Sequence, residues 1–177
     1  MTKNVKYSLT ALVVIIIIFF VNQRIQDKHN LKTGKIFLED IDKISKIQIS
    51  EKDKILELVK MDSIWKIIQA ESLVVKENQI KRIFDEIIPL EKEMLITNKK
   101  EKWEKFGVDD SLGRHFRLFD DTEKEMIHFV FGNSGQDYQH NYIRENNTSE
   151  VYRTNDNVYF LLNSNVNYWG AKPKPPK

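Results

Sequence analysis

The amino-acid sequence predicts an α+β protein: an N-terminal transmembrane helix, then a mostly antiparallel sheet of short strands packed against one amphipathic helix. Three observations support this fold class. They are an uncharged apolar run near the start, several short alternating runs bounded by turn residues, and one apolar stripe at helical spacing. Apolar residues make up 41% of the 177 residues, which is enough for one packed domain.

The apolar run YSLTALVVIIIIFFV occupies residues 7–21 and follows two lysines. We predict a transmembrane anchor over residues 7–25, after a short segment 1–6, because the flanking basic side chains can reach the headgroups. A cleaved signal peptide would need small residues at the end of the run, where FFVNQ stands instead, and a buried core helix is the other alternative. The predicted membrane-facing residues are Tyr7, Leu9, Leu12, Ile15, Ile18, Phe20 and Val21.

The orientation of the anchor depends on two opposing arguments. Two lysines precede the run and four basic residues follow it by residue 35, and this count favours a cytoplasmic body. Long domains, however, cross membranes largely regardless of charge, and a short N-terminal segment is typical of a signal anchor. The abundance of Ile, Lys and Asn is typical of a bacterial chain. We therefore expect a single-pass protein of the bacterial cytoplasmic (inner) membrane with an extracytoplasmic body.

After the anchor, the sequence predicts a juxtamembrane linker over 26–42, an α+β domain over 43–163 and a frayed Lys/Pro-rich tail over 164–177. Alternating apolar and polar residues predict the strands, with hairpin turns at DDTEKE and NNTSE. The predicted strands lie within 44–49, 54–60, 63–68, 95–97, 115–119, 126–131, 141–145 and 151–154.

One helix is predicted before Pro89, which ends it. Its apolar side chains recur at i, i+3, i+4, i+7 and i+8, with charged residues on the opposite side. This spacing indicates a face that covers the sheet, although a partner-binding face is the alternative. The stripe consists of Ile80, Ile83, Phe84, Ile87 and Ile88.

Composition excludes several functions. The chain has no cysteine, so disulfides, thiolate metal sites and cysteine nucleophiles are excluded. Residues 36–170 carry 19 basic and 25 acidic side chains, whereas both ends of the chain are basic. An acidic body repels phosphate backbones, so we expect no nucleic-acid partner.

The order of elements resembles a known family. The motifs are a W-x-I strand before the helix, an aromatic-Gly-Val turn before a strand, an apolar strand ending in Gly, a Tyr-hydrophobic-Arg strand and a Val-Tyr strand. Their residues here are Trp65, Ile67, Phe106, Gly107, Val108, Phe131, Gly132, Tyr142, Ile143, Arg144, Val151 and Tyr152. Over 43–162 the chain resembles the bacterial membrane-anchored domain-of-unknown-function family (family 4340), whose members accompany gliding-motility-type ABC transporters. Many members have Pro soon after the glycine turn, where this chain has Asp109, Asp110 and Ser111.

The sequence offers little catalytic chemistry. His115 and His128 lie on strands that can pair, but no nearby motif supplies the further ligands that a metal needs. The acidic pairs lie on turns, no serine forms a nucleophile elbow, and the glycines are too dispersed to cradle phosphate. We therefore expect no catalytic, cofactor-binding or metal-ligating residues. We also expect little depth for a pocket in so small a domain.

The polar loop 132–142 is the predicted contact site, because recognition is concentrated on loops held by a rigid scaffold. Its candidate residues are Asn133, Asp137, Tyr138, His140 and Tyr142. The sequence thus predicts a non-enzymatic accessory or scaffold domain whose anchor contacts the lipid bilayer. The resemblance implies an ABC transporter or another envelope complex as its partner. The alternative is a domain that binds a small ligand or a cell-envelope polymer, or a degenerate enzyme, using the face near His115, Arg117 and His128.

Overall fold

The computed structural model describes residues 3–30, 34–133 and 138–173, and the chain divides into two units, Met1–Gly34 and Lys35–Lys177. In the first unit, the described residues 3–30 form one helix, α1 (Lys3–Asn30). Within it, the segment Tyr7–Ile25 has a mean hydropathy of 2.1 and none of it is buried. The helix is therefore long and apolar enough to cross a membrane.

The second unit is built from short strands, and the predicted α+β class is confirmed. The strands are β1 (Gly34–Lys35), β2 (Lys46–Glu51), β3 (Lys54–Met61), β4 (Ile64–Ile67), β5 (Val74–Val75), β6 (Glu91–Thr97), β7 (Arg114–Phe119), β8 (Glu125–Gly132), β9 (Tyr142–Glu145), β10 (Val151–Thr154) and β11 (Gly170–Ala171). The short helices are α2 (Glu77–Arg82), which continues as a π-helical turn (Ile83–Ile87), and α3 (Val166–Trp169). Single 3₁₀ turns are Ile41–Lys43, Lys100–Lys102, Glu104–Phe106 and Tyr159–Leu161.

Nine strands form one sheet in the order β1-β6-β10-β9-β8-β7-β2-β3-β4, and β11 pairs with β5 separately. Two antiparallel meanders, β2-β3-β4 and β7-β8-β9-β10, meet where β2 pairs with β7. The predicted hairpin at DDTEKE is confirmed, and Asp120 stabilises its turn by accepting hydrogen bonds from the backbone N–H groups of Thr122 and Lys124.

The helix covers one face of the sheet, as its stripe predicts. Ile80, Ile83, Ile87 and Ile88 are buried in the same core as the inward side chains of the strands. Phe84 is half-buried and packs on Trp65, with ring centroids 6.4 Å apart. The second half is a π turn, closed by the Ile88 N–H donating to the Ile83 carbonyl at 3.0 Å.

The opposite face of the sheet, called the outer face here, has a second and smaller core. Strand alternation directs Phe129 and Phe131 to the main core, so Val130 between them points to the outer face. There Val130 packs with Trp103, Val108 and Val151, which are all buried. The segment from Trp103 to Val108 thus covers part of the outer face, and the remainder of that face carries polar side chains.

The predicted linker over 26–42 is wrong, because part of it belongs to folded elements. Helix α1 continues to Asn30, and Ile36 and Phe37 are buried in the main core. The backbone N–H of Ile36 donates to the Leu90 carbonyl at 3.0 Å, which fixes this segment beside the sheet. A short apolar run, Ile36–Leu38, in an otherwise polar stretch was too weak a pattern to indicate that two of its side chains are buried.

The predicted fraying of 164–177 is also wrong for the part that the structure describes, which ends at residue 173. Trp169 is fully buried, and its indole N–H donates to the Asn163 carbonyl at 2.6 Å. Its own carbonyl accepts a hydrogen bond from the Lys76 N–H at 2.8 Å, and β11 then pairs with β5. One aromatic residue filling a gap in the core orders this segment, although the segment itself has no periodicity.

Candidate functional site

The two predicted histidines meet on the outer face. Alternation along β7 buries Phe116 and Leu118 in the main core and turns His115 and Arg117 outward. Arg117 lies directly opposite His128 on β8, so all three polar side chains converge. The Nδ1 of His115 lies 2.8 Å from the Nε2 of His128, and the Arg117 Nε lies 3.3 Å from the same Nε2.

The Nε of Arg117 can only donate, and it lies within hydrogen-bond reach of the Nε2 of His128. One hydrogen bond joins the two histidine rings, and the Nε2 of His115 also lies 3.1 Å from the carbonyl oxygen of Asp110, which can only accept. Burial, followed by the positive charge of Arg117, lowers the pKa of His128 to about 4. His128 is therefore neutral at pH 7, and its Nδ1 lies 4.0 Å from a carboxylate oxygen of Glu125.

The histidine pair is part of a longer polar row across the outer face. Arg117 Nη1 donates to the side-chain oxygen of Gln48 at 2.8 Å, and the Gln48 amide donates to Glu57 at 2.9 Å. Lys46 Nζ lies 3.7 Å from Glu57. The row crosses four neighbouring strands, and each of its hydrogen-bonding side chains is already paired within the chain. This pairing favours a structural role over reactive groups held ready for a substrate.

Arg144 fastens the covering segment to the outer face. This side chain on β9 is 1% exposed, and it donates to the carbonyl oxygens of Val108 at 3.0 Å and Asn146 at 2.9 Å. It also bonds the carboxylate of Asp110 and stacks 3.8 Å from the Trp103 ring centroid. The family pattern included Arg144, but nothing in the sequence indicated that it is buried or which groups it contacts.

Steric constraints explain why glycine occupies positions 107 and 132. Gly107 has φ +63°, which favours glycine, and it ends the 3₁₀ turn at Phe106. Gly132 lies so close to this turn that an added Cβ would be 1.9 Å from the Phe106 carbonyl oxygen. The turn and the beginning of loop 132–142 are therefore packed together without side chains between them.

The predicted contact loop is only partly described, and Asp137 lies outside the described residues. Asn133 is exposed, and Tyr138 is 83% exposed, so both can reach a partner. His140 Nδ1 instead donates to the Thr154 carbonyl at 2.9 Å, and Tyr142 packs on Phe106 with ring centroids 4.8 Å apart. Among the described loop residues, Asn133 and Tyr138 are thus exposed, while His140 and Tyr142 contact the scaffold.

Asn141 holds the end of this loop and was not predicted. It is fully buried, and its side-chain oxygen accepts the backbone N–H groups of Val158 and Tyr159 at 2.6 and 3.0 Å. Its amide group donates to the Gly132 carbonyl at 3.3 Å. Asn141 therefore ties both ends of the loop to the segment that closes the main core. A single asparagine before a strand carries no pattern that distinguishes it from an ordinary turn residue.

An apolar groove runs along β4, although we expected little pocket depth. Its volume is about 460 Å³, and its lining includes Met61, Ile64, Trp65, Ile68, Leu73 and Val74. A second cavity of about 250 Å³ shares Ile64, Trp65 and Val74. The turn between β4 and β5 creates this depth by standing beside the end of the sheet. Among residues 3–30, 34–133 and 138–173, no group of three or more His, Asp and Glu side chains is placed to hold a metal ion.

Comparison with known proteins identifies the family. The family model described as "Domain of unknown function (DUF4340)" matches residues 65–172, more than half of the chain. The chain belongs to this family. The DUF4340 match includes β4 from Trp65 onward, the helix, the histidine pair and the ordered segment around Trp169. Neither a search of curated proteins nor a search of solved structures found a match.

Proposed function

We propose that this DUF4340 protein is a single-pass, membrane-anchored accessory domain that contacts a membrane protein complex and has no enzymatic activity. One observation carries the proposal: none of the 19-residue apolar span Tyr7–Ile25 is buried. Leaving such a surface in water is unfavourable, so the helix needs an apolar environment such as a bilayer core. We place the body outside the cytoplasm of a bacterial cell, with an ABC transporter or another envelope complex as the partner.

Membrane extraction tests the anchor. The full-length chain should stay in the membrane fraction through alkaline carbonate treatment and should retain its N-terminal peptide. Replacing Ile15 and Ile18 by Lys should release it, because each central lysine costs about 2.5–3.5 kcal/mol of insertion free energy. The matched control replaces Asn22 and Gln23 by Lys, near the end of the span, and should remain bound. Release of the unaltered chain, or a mature start after Val21, would contradict the anchor.

A reporter fusion tests the orientation separately. Alkaline phosphatase folds into an active enzyme only outside the cytoplasm, so a fusion to the C-terminus should be active if the body is exported. An inactive but stable fusion would place the body in the cytoplasm, as the count of basic residues alone suggests.

The loop and the histidines distinguish contact from catalysis. Replacing Asn133 and Tyr138 by Ala should impair a cellular phenotype of the gene without unfolding the domain, because both side chains are exposed. The double substitution His115→Ala with His128→Ala should leave that phenotype intact as long as circular dichroism shows a folded domain. Loss of function in a folded histidine variant would contradict the non-enzymatic proposal and would favour ligand binding on the outer face.

A further inference from the structure

Beyond the polar row, the outer face carries exposed apolar side chains on and beside β3 and β4. Alternation along β3 buries Leu56 and Leu58 in the main core, so their neighbours on the strand point to the outer face. In the register with β4, Met61 lies opposite Ile64 on that face. The apolar residues here, called the β3–β4 patch, are Ile55, Val59, Met61, Ile64 and Ile68. Four of these five side chains are between 41% and 65% exposed, which is typical of an interaction surface.

Two depressions adjoin the β3–β4 patch, and Met61 and Ile68 line both of them. One is the groove along β4. The other has a volume of about 430 Å³ and lies toward the turn between β7 and β8. The patch thus has depth on two sides, which favours a partner with protruding side chains over a flat surface such as a bilayer.

The charges around the patch are mainly negative. The two linings together carry three lysines and five carboxylates, an excess of two negative charges. Lys46 lies 3.7 Å from Glu57, and alternation along β3 directs Lys60 to the opposite face. Lys66 and Glu71 balance each other in the groove. The remaining carboxylates belong to the β7–β8 turn and are Asp120, Asp121 and Glu123.

This charge excludes two occupants of the patch. An anionic leaflet attracts basic segments, so it does not favour a surface bordered by carboxylates. The same patch on a second copy of the chain has the same negative charge, so two patches repel each other. The complementary partner carries apolar side chains together with basic ones.

The backbone of β3 has no open edge, because β2 and β4 pair with it on either side. The turn before β5 stands beside β4, and its Leu73 lines the groove there. A partner therefore binds this face through side chains. On the opposite face of the sheet, α2 and the π turn do this with a stripe that includes Ile80, Ile83 and Ile87. An amphipathic helix is the element that suits such a face.

We propose that the β3–β4 patch binds a basic amphipathic helix of a partner protein. The apolar stripe of the helix packs on Met61, Ile64 and Ile68. Its lysines or arginines face Asp121 and Glu123, which are both exposed. This interface is separate from the predicted contact loop 132–142, and it does not depend on the proposed membrane anchor.

A synthetic helix tests the proposal on the full-length chain in phosphatidylcholine nanodiscs. The probe has leucines at i, i+3, i+4 and i+7, lysines on its other side, and one benzophenone for photo-cross-linking. A matched peptide has glutamates in place of the lysines. Fluorescence polarisation, corrected for empty nanodiscs, measures the binding of both peptides. We expect the lysine peptide to bind several-fold more tightly and to cross-link within residues 55–68.

Charge reversal tests the acidic side of the interface. Asp121→Lys with Glu123→Lys should weaken binding of the lysine peptide several-fold and strengthen binding of the glutamate peptide. The matched control, Glu101→Lys with Glu104→Lys, changes the net charge equally at exposed positions outside both depressions. It should leave binding nearly unchanged. Equal weakening in the two variants would show only long-range attraction and would overturn the proposal.

Polar substitutions test the apolar side. Met61→Ser with Ile68→Ser should weaken binding several-fold, whereas Ile41→Ser with Leu112→Ser, at exposed apolar positions outside both depressions, should not. Circular dichroism monitors folding, and Ile64→Ser, at the most exposed position of the patch, replaces the double variant if that variant unfolds. Equal affinity for the two peptides, or cross-links outside the patch, would overturn the proposal. Carbonate extraction reports on the anchor independently, so the two proposals can fail separately.

Discussion

At the scale of single residues, His128 should make the stability of the domain depend on pH. Its pKa is about 4 in the folded chain and about 6.5 when unfolded, so the unfolded state binds more protons between these values. The contribution of His128 to the free energy of unfolding should therefore be fully present above pH 6.5. It should be lost as the pH falls toward 4. We expect this residue alone to account for about 2–3 kcal/mol of the loss.

Urea titrations at pH 7 and pH 4.5 measure this effect. The variant His128→Gln keeps a polar group but cannot be protonated, so its pH dependence should be weaker than that of the unaltered chain. Carboxylates titrate in the same range, and only the difference between the two chains reports on His128. If the free energy of unfolding changed equally with pH in the unaltered chain and in the variant, the buried imidazole would not be neutral in the folded state.

A second residue-scale prediction compares two arginines. Arg144 is buried with backbone carbonyls as partners, whereas Arg153 pairs with Glu93 at 2.8 Å near the surface. Arg144→Ala should cost about 2–4 kcal/mol, because it leaves buried acceptors without donors and removes the stacking on Trp103. Arg153→Ala should cost at most about 1 kcal/mol. Chemical denaturation measures both, and similar losses would contradict the anchoring role of Arg144.

At the scale of elements, the helix stripe should carry much of the packing energy. Ile83, on the face of the helix that contacts the sheet, is fully buried, whereas Lys81 is exposed on the opposite face of the same helix. Ile83→Ala should cost about 2–5 kcal/mol, while Lys81→Ala should change stability by no more than about 0.5 kcal/mol. Thermal unfolding measures the loss of stability in each variant. Equal losses in the two variants would mean that the stripe is not a core face.

The elements also show which parts of the fold the sequence could predict. Strands such as β7 and β8 were predictable because alternation places Phe116 and Phe129 on one face and the histidines on the other. The meeting of His115 and His128 followed from the hairpin between them. The burial of Arg144 and Asn141 was not predictable, because it depends on carbonyl groups up to 36 residues away in sequence. The groove along β4 arises from a turn whose position no local pattern specifies.

At the scale of the whole molecule, Trp169 connects the last described segment to the rest of the domain. Its fully buried ring fills the core beside α2 and β5. Trp169→Ala should cost about 3–5 kcal/mol, a large part of the 5–15 kcal/mol that stabilises a typical domain. Tyr138→Ala, at an exposed aromatic side chain, should change stability by less than about 0.5 kcal/mol. A stable Trp169→Ala variant in calorimetry would show that the segment is dispensable.

The late position of Trp169 in the chain also bears on the order of events during synthesis. The start of α2 is held by backbone and side-chain bonds from Lys76 to residues 167–169, some 90 residues further along the chain. Until residues 167–171 have been synthesised, α2 lacks these bonds and β5 lacks its partner strand β11. In a chain synthesised from its N-terminus, this part of the core therefore stays open until Trp169 is available to pack on it.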